Sequence, residues 1–463
     1  MTKTKTTPQR FKASAVRMAC AGVLTICAAL PVNAETLGDA LAKAYATNPT
    51  LLSARATLRA TDEGVSQARS GWRPSLSATG TTSSKRTETS ATPSTTTKPR
   101  TMTLNLSQSL FAGGQTVAGT SSAINSVMAQ RARLKNSEQT VLLGASTAYL
   151  NVLRDQAVLE LNIKNEQVLT RHLEATRDRF NVGEITRTDV HLAEARLAGA
   201  NANRIGAQGT LDASRANYVN VVGEAPGNLE QPGMALALPQ SLGEALDMAE
   251  ENNPTLVAAA FDEKAAKNDI SGVKGQLLPS LDLSGSANRS LDTTTSYNWS
   301  NSMEAKVTLT VPLYQSGSVY SQLRQARQTA AASRLAADQA RRDAAEQVSQ
   351  AWQNLDVTRA RIGSIKTQVR AAETALEGVQ REASVGSRTV LDVLDSEQEL
   401  LDARVNLVTS QRDETVAALT LLSAAGKLTA GDLNLAVDLY DAGGHYRDVR
   451  GQWFGGAAGD NVN

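Results

Sequence analysis

Two different periodicities run along this chain. Over residues 102–110 apolar and polar positions alternate. Met102, Leu104, Leu106 and Leu110 fall on one face, and Thr103, Asn105, Ser107 and Ser109 on the other. The pattern returns over 305–313, where Ala305, Val307, Leu309, Val311 and Leu313 oppose Lys306, Thr308 and Thr310. Leu76/Ala78 and Leu281/Leu283 carry it into a segment before each. Successive side chains of a strand point to opposite faces, so this period predicts a pair of strands in each half. The connections within the pairs, 81–98 and 291–302, are rich in Ser and Thr. Such runs suit tilted barrel strands with lipid on one face and water on the other, and suit a half-buried soluble hairpin equally well.

Downstream of each pair the period changes to three and a half. From Val319 the small or apolar positions step by four and three through Leu323, Ala326, Ala330, Ser333, Ala337, Ala340, Ala344, Val348 and Ala351. They continue by way of Leu355, Thr358, Ile362, Ile365, Val369, Ala372 and Leu376 to Val379. That seam, about nine heptads long, predicts a coiled-coil helix with left-handed supercoil. At ~1.5 Å per residue it makes a rod of roughly 100 Å. The first half follows more loosely through Leu134, Val141, Ala145, Ala148, Val152, Leu159 and Ile163. Each helical stretch is interrupted once, at Val182-Gly183 and at Val385-Gly386. None of the 12 prolines falls within 100–225 or after Pro312, which leaves both stretches free of that helix breaker.

The two halves are copies of one unit. Thr36-Leu37-Gly38-Asp39-Ala40-Leu41 matches Ser241-Leu242-Gly243-Glu244-Ala245-Leu246, and Asn48-Pro49-Thr50-Leu51 matches Asn253-Pro254-Thr255-Leu256. Pro74-Ser75-Leu76 matches Pro279-Ser280-Leu281, all at an offset of 205 residues. Further along the offset is 203, pairing Gly114 with Gly317, Val182-Gly183 with Val385-Gly386 and Asp189-Val190 with Asp392-Val393. A register held this long marks a tandem duplication. The predicted organisation is a first repeat over 35–225, a linker over 226–240, a second repeat over 241–427 and a final segment over 428–463.

The first 34 residues read differently. Lys3, Lys5, Arg10, Lys12 and Arg17 precede an apolar stretch from Met18 to Leu30, and Val32-Asn33-Ala34 supplies small residues for a peptidase. This is a signal peptide, too short to span a membrane, with cleavage expected after Ala34. Both cysteines, Cys20 and Cys27, leave with it. Of 47 basic residues 42 remain against 46 acidic ones, a net of −4 that argues against nucleic acid as a partner. Aromatics are only 4% of the chain, which fits long, closely packed helices better than a rounded core. After residue 35 no apolar run is long enough for a membrane helix. No phosphate-binding glycine loop, nucleophile elbow or His-Glu-x-x-His helix appears, and His172, His191 and His445 are scattered. The sequence therefore predicts neither an enzyme nor a cofactor or metal site.

Taken together, the signal peptide, the duplication, the paired strands and the long glycine-turned helices resemble the TolC family of outer-membrane export channels over essentially the whole mature chain. The sharpest signatures are Arg179-Phe180-Asn181-Val182-Gly183 with Thr188-Asp189-Val190, and the segment from Val385 to Asp395. The tail from Tyr440 to Gly455 is similar to members serving type I protein secretion. The resemblance implies an α+β membrane protein, in which a homotrimer closes a twelve-stranded β-barrel from four strands per protomer. Below it a periplasmic α-helical coiled-coil barrel would follow, belted by the short helices and the tail. The partners implied are a periplasmic adaptor (membrane fusion protein), an inner-membrane pump and outer-membrane lipid. The tip turns would be Gly183 and Gly386, the pore gate Asp392 and Asp395, and the tip latch Arg388 with Asp189 and Thr188. Acidic residues in a helix's first turn are favoured by the helix dipole in any case. A tyrosine that the family often places five residues before the arginine is Ala383 here. A trimeric coiled-coil scaffold without a channel fits the heptads alone, but leaves the paired strands unexplained. Whether the cargo is protein or small molecule is not written in the residues.

Overall fold

The computed structural model describes residues 35–233, 237–293 and 298–456. The predicted signal peptide at 1–34 lies outside the described residues, as does the end of the tail. Within them the chain runs α1 (Leu37–Thr47), α2 (Pro49–Arg69), β1 (Ser75–Thr82), β2 (Lys85–Thr89), β3 (Thr92–Thr97), β4 (Arg100–Ala112), α3 (Gln115–Asn181) and α4 (Arg187–Val222). The second copy gives α5 (Leu242–Asn252), α6 (Pro254–Gly275), β5 (Ser280–Leu291), β6 (Trp299–Thr310), α7 (Ser318–Ser384) and α8 (Val390–Ala424), followed by a short α9 (Gly444–Val449).

One asparagine organises each repeat's entry. The Asn48 side chain accepts from the Thr50 N–H at 2.9 Å and so caps α2, whose first residue is Pro49. A proline there loses nothing, because the first N–H groups of a helix have no internal partner. Asn48 also donates to the Val221 carbonyl at 2.9 Å, tying the end of α4 to the α1–α2 corner. Asn253 repeats the device, capping α6 and donating to Ala424 at the end of α8.

The strands form one antiparallel sheet in the order β1-β4-β5-β6. Its rows keep the predicted faces. Ala78, Leu104, Ala287 and Met303 lie in one row and Leu76, Leu106, Gly285 and Ala305 in the next. Thr103, Asn288 and Ser302 share a row on the opposite, polar face. The alternation resets once. Between Ser109 and Phe111 the register shifts by one, so Leu110 and Phe111 are both exposed. The connection over 81–98 differs from the predicted linker. β1 runs on to Thr82, and threonine-rich β2 and β3 pair as a separate hairpin, in which threonines face each other across the strands at Thr87–Thr95 and Thr89–Thr92. The second connection is shorter than predicted because β6 begins at Trp299.

α3 and α7 have 67 residues each, about 100 Å at the usual rise. α4 and α8 turn back on them, and α2 and α6 pack nearer the sheet. Every buried residue of α7, from Val319 to Leu376, belongs to the predicted seam. In α3 the prediction fails at its end. Ile163 is 36% exposed, and the buried positions are Asn162, Asn165, Leu169, Leu173 and Thr176. The inward stripe is partly polar there, so apolar spacing alone could not follow it.

At the other end of α3 and α6 two glycines let the chain cross itself. Gly113 has φ +60°, and a Cβ on it would fall 2.1 Å from the Gly275 carbonyl oxygen. The largest core lies midway along the helices, where Leu41, Leu58, Leu142, Tyr149, Tyr218 and Leu419 meet Leu428 and Leu435 of the returning tail. Glu35 is the knot of this region. It pairs with Lys43 at 3.0 Å, accepts from the Tyr218 hydroxyl at 3.0 Å and from the Gly227 N–H at 3.0 Å.

Candidate functional site at the helix turns

Both long helices end in the same way. After Phe180 the chain reverses through Gly183 at φ +83°, with Gly183 N–H donating to the Phe180 carbonyl at 2.9 Å and Glu184 N–H to Arg179 at 2.9 Å. Gly386, at φ +79°, repeats the turn with its N–H on Ala383 and that of Ser387 on Glu382. Only glycine takes this left-handed conformation without steric penalty, which places Val-Gly at both turns. Val182 and Val385 stand exposed at the apex.

The next helix then starts with a capping box. Thr186 Oγ1 donates to Asp189 Oδ2 at 2.7 Å, and the Asp189 N–H returns to Thr186 Oγ1 at 3.4 Å. Thr389 and Asp392 do the same at 2.7 and 3.3 Å. The Thr389 hydroxyl and N–H, with Arg388 nearby, hold the Asp392 carboxyl below the usual aspartate range. Asp392 is half-buried and Asp395 exposed. Thr188 is exposed in the first turn of α4.

Within one chain the expected latch is not made. Arg388 donates through Nε to Glu382 Oε2 at 2.9 Å, on its own hairpin, and that carboxylate raises its affinity for its proton. Asp189 is engaged by Thr186. Ala383, at the tyrosine's place, is half-buried with no polar side-chain atom to offer.

A different clasp joins the two repeats above the turns. Arg196 Nη2 on α4 donates to Asp395 Oδ1 on α8 at 2.5 Å. Beside this pair, buried Leu394 packs with Leu169 and Ala200, flanked by Leu197 and Val390. One turn along, His172 Nε2 lies 3.8 Å from Glu397, which also accepts from Gln380 at 3.1 Å. Sequence reasoning missed Arg196, although a signal existed. At the repeat offset Leu192 occupies the place of Asp395, and Glu399 that of Arg196. The pair is thus a place where the copies have diverged, and a search for matches passes over it.

A four-stranded sheet with two open edges, one face apolar and the other polar, continued by helices of about 100 Å that reverse at Val-Gly turns, defines a channel-forming protein of the outer membrane that reaches into the periplasm. The family model described as "Outer membrane efflux protein" matches residues 40–224 and 245–427, and the chain belongs to that family. It is 36% identical over 449 residues to the outer membrane efflux protein BepC of Brucella suis, covering 96% of this chain and 97% of that one. To the outer membrane protein TolC of Escherichia coli it is 31% identical over 64% of this chain and 63% of the other. Among solved structures, the Campylobacter jejuni CmeC outer membrane channel superimposes with a TM-score of 0.77 over 91% of this chain and 90% of that chain, at 13% identity. These relatives are channels and transport components. TolC-like channels are trimers that work with adaptor and pump partners, and in this chain β1 and β6 are the edges of the four-stranded sheet, each with one strand partner among the described residues.

Proposed function

We propose that the chain forms a passive export duct that rests closed at its Val-Gly turns. It opens when a periplasmic adaptor and an inner-membrane pump engage that end, the pump supplying the energy. The single observation that carries this reading is the separation of duties along the molecule. The pore-forming sheet lies at one end of α3 and α7, and the ionisable cluster at the other, about 100 Å away. The first repeat (35–225) and the second (241–427) each supply half of one protomer's wall, the linker 226–240 joins them, and the final segment that opens at residue 428 contributes its first part, through Leu428 and Leu435, to the belt. Asp392 and Asp395 are the gate carboxylates. The latch of Arg388 with Asp189 and Thr188 works between protomers, because inside one chain Glu382 and Thr186 occupy those groups. A channel-free scaffold would leave the two-faced sheet without a role.

The test is single-channel recording in planar bilayers. Asp392→Ala with Asp395→Ala should remove cation preference and block by multivalent cations while trimers still assemble. Block unchanged in the double variant sinks the gate assignment.

A further inference from the structure

The tail does not stop at the belt. From α9 it runs along α2 to the level where the chain enters the barrel. Arg69, the last residue of α2, donates to the Arg450 carbonyl at 3.2 Å. Arg73, two residues before β1, donates to the Gln452 carbonyl at 2.6 Å, and its guanidinium lies 5.1 Å from the centre of the Trp453 ring. Two backbone bonds and a stacked cation thus pin a segment that has no regular structure. What they hold out is apolar. Trp453 is 58% exposed and Phe454 88%, beside the exposed Trp72.

This patch continues the outer apolar face of the sheet. Phe111, Leu278, Leu313 and Tyr314, all exposed, flank the same strand ends. The cleft under Trp453 is lined by Arg69, Arg73 and Arg450 together with hydroxyls of α3, and among the described residues no carboxylate lines it. Amphipathic aromatics favour the boundary between headgroups and acyl chains, and arginine forks match phosphate oxygens.

We propose that residues 450–454 form an interfacial anchor for the phospholipid leaflet facing the periplasm. Trp453 and Phe454 enter the headgroup–acyl boundary, and Arg69, Arg73 and Arg450 meet lipid phosphate. The anchor rests on the sheet being a membrane barrel, and fixes the depth at which the helical duct leaves the membrane.

Depth-dependent quenching tests it on the mature trimer, reconstituted in phosphatidylethanolamine and phosphatidylglycerol with brominated acyl chains. One variant keeps only Trp453 (Trp72→Phe, Trp299→Phe, Trp352→Phe), and a second keeps only Trp299, on the outer face of β6. The expected result is that brominated lipid quenches Trp453 to an extent similar to Trp299. If Trp299 is quenched and Trp453 is not, the anchor is wrong and the barrel stands, whether acrylamide reaches Trp453 (solvent) or not (a neighbouring protomer). If neither is quenched, the barrel reading fails and takes the anchor with it. A second measurement keeps every tryptophan. Phe454→Cys carries a spin label at the only cysteine of a chain starting at Glu35. The label should be more accessible to oxygen than to a water-soluble nickel chelate, and the reverse order overturns the proposal.

Discussion

Asp392 does two things with one carboxylate: it caps α8 and presents charge at the turn. Because Thr389 and then Arg388 favour its ionised form, the folded carboxyl titrates below its ordinary value of 3.8. A carboxylate depressed in this way supports the folded helix start above the unfolded value, and that support is lost as pH falls through the folded one. Cation block should therefore persist from neutral pH down to the ordinary aspartate range and fade only below it. A block that weakens well above that range would mean that three-fold crowding of like charges overrides the cap. Arg196 makes a second prediction at this scale. An exposed pair is worth about 0.5 kcal/mol, so if the tip proposed to rest closed opens by parting α4 from α8, three copies of Arg196–Asp395 would favour closure by about 1.5 kcal/mol. Arg196→Ala should then raise open probability roughly tenfold in planar bilayers, a change the Arg196→Lys variant largely avoids. The turn glycines and both capping aspartates could be read from the residues, since turn and cap chemistry are local. Arg196 and Leu394 could not, because their contacts join segments about 200 residues apart, whose approach is a property of the fold.

The long helices were the most legible elements, and α7 more than α3. An alanine-rich seam has one apolar stripe, so its period survives in the sequence. Toward the turns α3 buries Asn162, Asn165 and Thr176, and upstream Asp155 takes hydrogen bonds from Arg154 at 2.8 and 3.0 Å and from Ser214. Polar side chains on a buried seam fix register rather than add stability. The strands were legible in their faces but not in their ends, because the Leu110 bulge and the β2–β3 hairpin depend on pairing partners. The passage from strand to helix supplies the prediction here. Gly113→Ala forces a Cβ against the Gly275 carbonyl at a positive φ and should cost about 2 kcal/mol or more per chain. The heat-modifiable trimer band in gels should weaken or vanish. Gly272→Ala, whose new Cβ meets Ala118 at an ordinary 3.8 Å, should leave that band intact and raise its melting temperature, alanine being about 0.5–1 kcal/mol the better helix residue. Equal behaviour of the two variants would dismiss the close crossing as a determinant of assembly.

At the scale of the whole molecule, four strands are too few to close a barrel, and both edges of the sheet stay unpaired until other copies arrive. That has a genetic consequence. A variant damaged only at its turns keeps the strands and the belt, so it enters trimers as readily as the normal chain. With equal expression of the two, random mixing leaves about one trimer in eight wholly normal. Alleles that disturb the tip should therefore behave as dominant in a cell carrying both copies, whereas alleles such as Gly113→Ala, which never reach the trimer, should be recessive. Measuring antibiotic leakage in partial diploids against the ratio of the two transcripts separates these cases. A leakage that rises in simple proportion to the variant's share would mean that each chain acts alone at the tip. A leakage that climbs about three times as fast at small shares and follows one minus the cube of the normal share would show that one faulty subunit is enough to spoil the seal of the other two.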